Sequence, residues 1–231
     1  MRETLASADG PAQGRTEYDA ATVVGHLVHE LRQPLSTIES LAHYLKLVLG
    51  RSQSGLTQHL ERLRESVFEA NGILSDAVHF LQIAAPCPQL LDLNELVLAQ
   101  IAGLGEGGAD WVELRLAPEA ALVRLDVEQA RHLLRSLLLV CRRLAEPPPL
   151  VGLETRIAAG EVHLEVRTRL GRRPVDNLEA MFEPFSVHAP AGSGLALACA
   201  RRIAEAHGGS VRFLAPEGSQ LSLLAAFPKP A

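Results

Sequence analysis

The chain has 231 residues and a formal net charge of −5, with a sequence pI near 6.0. That balance argues against nucleic-acid binding through a general basic surface, and the length is ample for one large or two small domains. The N-terminus has no signal-peptide core, and no apolar run reaches the roughly 20 residues that span a bilayer, so no membrane partner is expected. Cys87, Cys141 and Cys199 form neither a close pair nor a metal spacing, which predicts a reducing cytoplasm and thiols used as small apolar fillers.

Past a tail rich in Ala, Gly and Ser (1–18), Val24, Val28, Leu31, Leu35, Ile38, Ala42, Leu45 and Leu49 alternate spacings of four and three, the seam of a coiled coil or helical bundle. His26, His29, Glu30, Gln33, Thr37 and Ser40 lie off that seam. A histidine on a rigid helix beside its own carboxylate is suited to nucleophilic attack at neutral pH. Pro34 removes a backbone donor and predicts a kink. After the turn-rich stretch Gly50 to Gly55, Leu56, Leu60, Leu63, Val67, Ala70, Leu74, Ala77 and Leu81 repeat the seam. A lone hairpin leaves that seam in water at about 25 cal/mol per Å², so a homodimeric four-helix bundle is the simplest closure. A purely structural coiled coil would carry the same heptads.

Pro86-Cys87-Pro88 ends the second helix. Beyond it the pattern is mixed. Trp111 to Leu116 alternates as a strand, Val127 to Leu144 reads as a buried helix, and Leu150 to Ile157 with Val162 to Thr168 form a hairpin around Ala158-Ala159-Gly160. Leu195 to His207 has helical spacing and stops at Gly208-Gly209, and Ser210 to Leu214 with Leu221 to Phe227 complete a sheet.

The run His29-Glu30-Leu31-Arg32-Gln33-Pro34-Leu35 resembles the phosphoacceptor box of bacterial two-component sensor histidine kinases, matching His-Glu-Leu-x-x-Pro-Leu in full. From Leu91-Asp92-Leu93-Asn94-Glu95-Leu96 to Pro228 the chain resembles their ATP-binding domain, most specifically at Phe182-Glu183-Pro184-Phe185, Gly192-Ser193-Gly194-Leu195-Ala196-Leu197 and the terminal strand. The resemblance implies an α helical hairpin that dimerises as a four-helix bundle (19–85), a linker (86–90) and an α/β sandwich with helices on one face of a mixed sheet (91–229). It implies that His29 accepts a phosphoryl group while Glu30 orients the ring and takes its proton. Gln33 sits where related kinases often place a water-orienting Thr or Asn, which points to phosphatase activity.

The nucleotide-binding residues of that family are largely replaced. Its magnesium-ligating Asn-Ala pair falls here on Val140-Cys141, and valine has no lone pair for a hard cation. Its Asp-x-Gly-x-Gly box falls on Val166-Arg167-Thr168-Arg169-Leu170-Gly171-Arg172-Arg173, with no acidic residue. Arg143, Gly192 and Gly194 remain suited to phosphate and define a weak, vestigial nucleotide site. Losing two charged hydrogen bonds of roughly 1.5–3 kcal/mol each weakens binding by on the order of 10²- to 10⁴-fold. No cofactor is therefore expected, with ATP and magnesium binding weak or absent. No metal is expected either, since His26, His29 and Glu30 lack further ligands.

The reading is a cytoplasmic histidine-kinase-like phosphotransferase that takes its signal from another protein. Its partners would be a response-regulator receiver domain and an upstream hybrid kinase. The competing readings are an ATP-dependent kinase with an atypical site and a noncatalytic dimeric scaffold that binds a regulator.

Overall fold

A computed structural model describes residues 32, 35–47, 54–81, 85–104, 110–171, 177–184, 186, 188–189, 195–215 and 218–230. Residues 35–47 are helical (α1) and Ser54–Leu81 form α2. The expected seam is the better-buried side of both helices: Ala42 and Val67 are buried, and Leu35, Leu60, Ala70 and Leu74 are half-buried. Closure is incomplete, since Ile38, Leu45 and Leu63 remain 40%, 42% and 44% exposed. An apolar face of that kind asks for cover.

After residues 85–88 the chain enters β1 (Gln89–Asp92), whose first two residues fall in the stretch expected as a linker (86–90). There follow α3 (Leu93–Ala102), β2 (Val112–Arg115), β3 (Leu122–Leu125), α4 (Val127–Leu144), β4 (Val151–Ala158) and β5 (Glu161–Arg169). A 3₁₀ turn (Glu179–Phe182), α5 (Ala196–Ala206), β6 (Ser210–Phe213) and β7 (Gln220–Pro228) complete the order. Five strands form one mixed sheet in the order β2-β4-β5-β7-β6, with β2 parallel to β4 and the other pairs antiparallel. β1 and β3 form a separate antiparallel pair. Alternation along the strands puts Val151 and Leu153 of β4, Val162, Leu164 and Val166 of β5, and Leu223, Ala225 and Phe227 of β7 in one core. Leu134, Leu137 and Cys141 of α4 and Leu197, Ala200 and Ala204 of α5 pack into that core.

Local chemistry sets the joints. Asp126 caps α4: its Oδ1 accepts from the Gln129 N–H at 3.1 Å and its Oδ2 accepts from the Cys87 N–H at 3.1 Å, which ties the chain that follows α2 to the sandwich. The Asp126 N–H donates to His207 Nε2 at 2.9 Å, so Nε2 accepts and the ring proton sits on Nδ1, 2.7 Å from the Ile203 carbonyl. Ala159 (φ 52°) and Gly160 (φ 80°) both lie in the left-handed region, as a two-residue hairpin turn between β4 and β5 requires. α5 ends on Gly208 (φ 70°), and the Gly209 N–H closes back on the Ala204 carbonyl at 2.8 Å. No described helix is long and apolar enough to cross a membrane.

Candidate functional site

α4 carries the positions that matter most for a nucleotide. Its polar first turn and Asp126 cap start it, and its apolar run drives it into the sheet. Val140 is fully buried within that core. Cys141 behind it is also fully buried; burial pushes its thiol up to about 12, which suits an inert filler. On β5, Thr168 is buried and its hydroxyl donates to the Leu150 carbonyl at 2.9 Å. Neither side chain offers the ligand that a magnesium–nucleotide complex takes at the positions the resemblance assigns to them. Arg143 lies half-buried in the last turn of α4, where a cation complements the helix terminus and acts on Arg135 about two turns back. Of the expected site residues, Arg143 alone falls among those described; His29, Glu30, Gln33, Gly192 and Gly194 lie outside them. Among the described residues no group of three or more His, Cys, Asp or Glu could hold a metal ion.

The Phe182 segment is anchored to α5. Phe182 is buried, meets Phe213 edge-on at 5.3 Å between ring centroids, and lies under the Arg201 guanidinium at 3.7 Å. Arg201 is held there by Glu179 at 2.5 Å. A cavity of about 690 Å³ opens near the far end of β5, with Glu113, Glu146, Gly152, Arg167 and Arg169 in its wall. Glu113, Gly152 and Arg167 are cross-strand neighbours on the sheet face turned away from α4.

Sequence reasoning missed a polar contact between α2 and the sandwich. His79 of α2 faces His132 of α4, with ring centroids 3.9 Å apart and planes 33° from parallel. Asp76 Oδ1 stands 3.2 Å from His132 Nε2, short of hydrogen-bond geometry. Arg135 passes so close to Gly72 that a Cβ there would stand 3.3 Å from its Nη2. From α5, the Cys199 thiol donates to the Asp76 carbonyl at 3.2 Å, and Arg202 donates to the Phe80 carbonyl at 3.0 Å while its guanidinium covers the Phe80 ring at 4.9 Å. Burial, then the neighbouring His132, Arg135 and Arg32 acting against Asp76, push His79 down to about 4. Burial, with Asp76 adding to it and Arg202 opposing, pushes the Cys199 thiol up to about 12. The available signal was His132 itself, a polar residue inside the apolar run of α4.

Residues 125–229 match the family model for the histidine kinase-, DNA gyrase B- and HSP90-like ATPase. The sensor histidine kinase ZraS of Escherichia coli K12 is 24% identical over 204 residues, covering 84% of this chain and 43% of ZraS. The sensor protein DivL of Caulobacter vibrioides is 29% identical over 204 residues, covering 85% of this chain and 26% of DivL. The chain thus spans less than half the length of these curated relatives. The crystal structure of full-length ShkA in complex with AMPPNP shares the fold, with a TM-score of 0.61 at 20% identity over 90% of this chain and 46% of that one. The ATPase-like family model over residues 125–229 and the sensor kinases similar to the chain along most of its length both point to the two-component histidine kinase family.

Proposed function

We propose that the chain is a phosphotransfer member of that family, with a working acceptor histidine and a lapsed nucleotide site. The observation that carries this reading is the pair Val140 and Thr168: one is sealed in the core, the other has its hydroxyl committed to Leu150. The acceptor box from His29 to Leu35 meanwhile keeps every defining residue. A neutral imidazole nitrogen of His29 attacks the phosphorus of a receiver domain's aspartyl phosphate. The N–P bond forms as the P–O bond to the aspartate breaks, leaving the receiver's carboxylate free. Glu30 orients the ring and takes its proton, and a second receiver's aspartate reverses the step. Gln33 holds a water in line for hydrolysis of the phosphorylated regulator. Arg143, Gly192 and Gly194 are remnants of phosphate binding, and ATP and magnesium bind weakly or not at all.

The apolar surface left at Ile38, Leu45 and Leu63 supports a second copy of the hairpin as its cover, giving a homodimeric four-helix bundle over 19–85, joined through 86–90 to the ATPase-like unit at 91–229. The partners are a receiver domain and an upstream hybrid kinase, and the setting is the cytoplasm. The test is acid-labile label on the protein after incubation with phosphorylated receiver, compared among wild type, His29→Ala and His26→Ala. Label is expected in wild type and His26→Ala and absent from His29→Ala. Label surviving in His29→Ala overturns the site, and no label in any of the three favours the noncatalytic scaffold.

A further inference from the structure

We propose that the contact of α2 with α4 and α5 is a proton-gated latch, in which the facing rings of His79 and His132 hold the ATPase-like unit on the helical hairpin while His79 is neutral and release it when His79 takes a proton. The inference rests on this interface alone and stands whether or not His29 carries a phosphoryl group.

The geometry favours the neutral pair. Two imidazoles stacked at 3.9 Å attract as uncharged rings, and a charge on one is poorly solvated because His132 is only 5% exposed. The charged and titratable neighbours come from every element around them. Arg32 comes from ahead of α1, Asp76 from α2, His132 and Arg135 from α4, and Cys199 and Arg202 of α5 stand against the same turn of α2. Of the groups acting on His79, Asp76 alone is acidic, set against Arg32, Arg135 and the second imidazole. A proton on His79 therefore enters a site already rich in positive charge.

The polar groups at the contact are only partly satisfied. Asn71 Oδ1, His132 Nε2 and Ser136 Oγ are buried at or beside it with no hydrogen-bond partner among the described residues, while α5 side chains donate two hydrogen bonds to α2 carbonyls and Asp76 acts on both His79 and Arg135.

The direction of the pH effect follows from His79 being pushed down to about 4 when docked, against 6.5 when free. The docked state holds fewer protons, so docking is fully favourable above 6.5 and is lost progressively as pH falls from there toward 4. Between about pH 7.5 and 5.5 the docking equilibrium constant should fall roughly tenfold.

The experiment uses the full chain with Cys87→Ser, carrying spin labels at Leu47→Cys and Glu128→Cys, both exposed positions. Cys141 and Cys199 are buried and stay unlabelled. Distance measurements should show one population near neutral pH and a released population growing as pH drops, with His79→Phe docked throughout. Distances that do not change with pH in the wild type, or that change equally in His79→Phe, overturn the latch. If His79→Phe fails to fold, the wild-type His79 ring followed by NMR decides: a midpoint well below the free value supports the latch, and a midpoint near 6.5 overturns it.

Discussion

Under the proposed reading, Val140 and Thr168 are the single side chains that separate this chain from a nucleotide-binding relative. Both identities were legible in the sequence; that Val140 is sealed inside the core, rather than facing a wet cleft, was not. Burial there depends on how α4 packs on β4 and β5, and no local pattern encodes it. A Val140→Asn exchange places an amide where the described neighbours are apolar and should cost about 1–3 kcal/mol of stability by urea denaturation. Stability unchanged within a few tenths of a kcal/mol would mean that this side chain faces water. His132 shows the converse. It was visible as a polar residue in an apolar run, but its partners, Asp76 and His79, lie more than fifty residues earlier and on another helix.

α4 is the element read best from sequence, over Val127–Leu144, because an Asp cap precedes one sustained apolar face. The β4–β5 hairpin is nearly as legible, since Ala159-Gly160 supplies the turn and β-branched residues flank it. β1 and α3 escaped separate assignment: β1 has four residues, and its partner β3 is about thirty residues further on, so no local turn announces the pair. The cap itself makes a prediction. Burial alone would raise the Asp126 carboxyl, but the N–H groups of Gln129, Cys87 and Glu128, with His207, hold it below 3.8. A lowered folded value means that its stabilisation is present above 3.8 and is lost as pH falls through the folded value. Asp126→Ala should cost about 0.5–2 kcal/mol at neutral pH. The gap from wild type should hold in mild acid and close in strong acid. A gap independent of pH would show that the carboxylate charge does not matter.

Over the whole molecule, the α/β order and the helical character of the stretch before it were legible because periodicity switches from the helical to the strand repeat after Pro88. The way α2 lies against α4 and α5 was not, because it is built from side chains that look like ordinary helix surface. The dimer is decided at this scale too. Leu63 is exposed and Leu74 half-buried, and charged residues at both should give monomers or an unfolded hairpin by light scattering and circular dichroism. A wild-type chain that runs as a compact monomer at micromolar concentration would exclude the bundle. The central claim, an acceptor retained beside a lapsed nucleotide site, is tested most directly by calorimetric titration of the full chain with ATP and magnesium. No saturable binding is expected below about 0.1 mM, with any residual affinity in the range of about 0.1–10 mM. A dissociation constant of about ten micromolar or tighter would contradict the account and make this chain an ATP-dependent kinase.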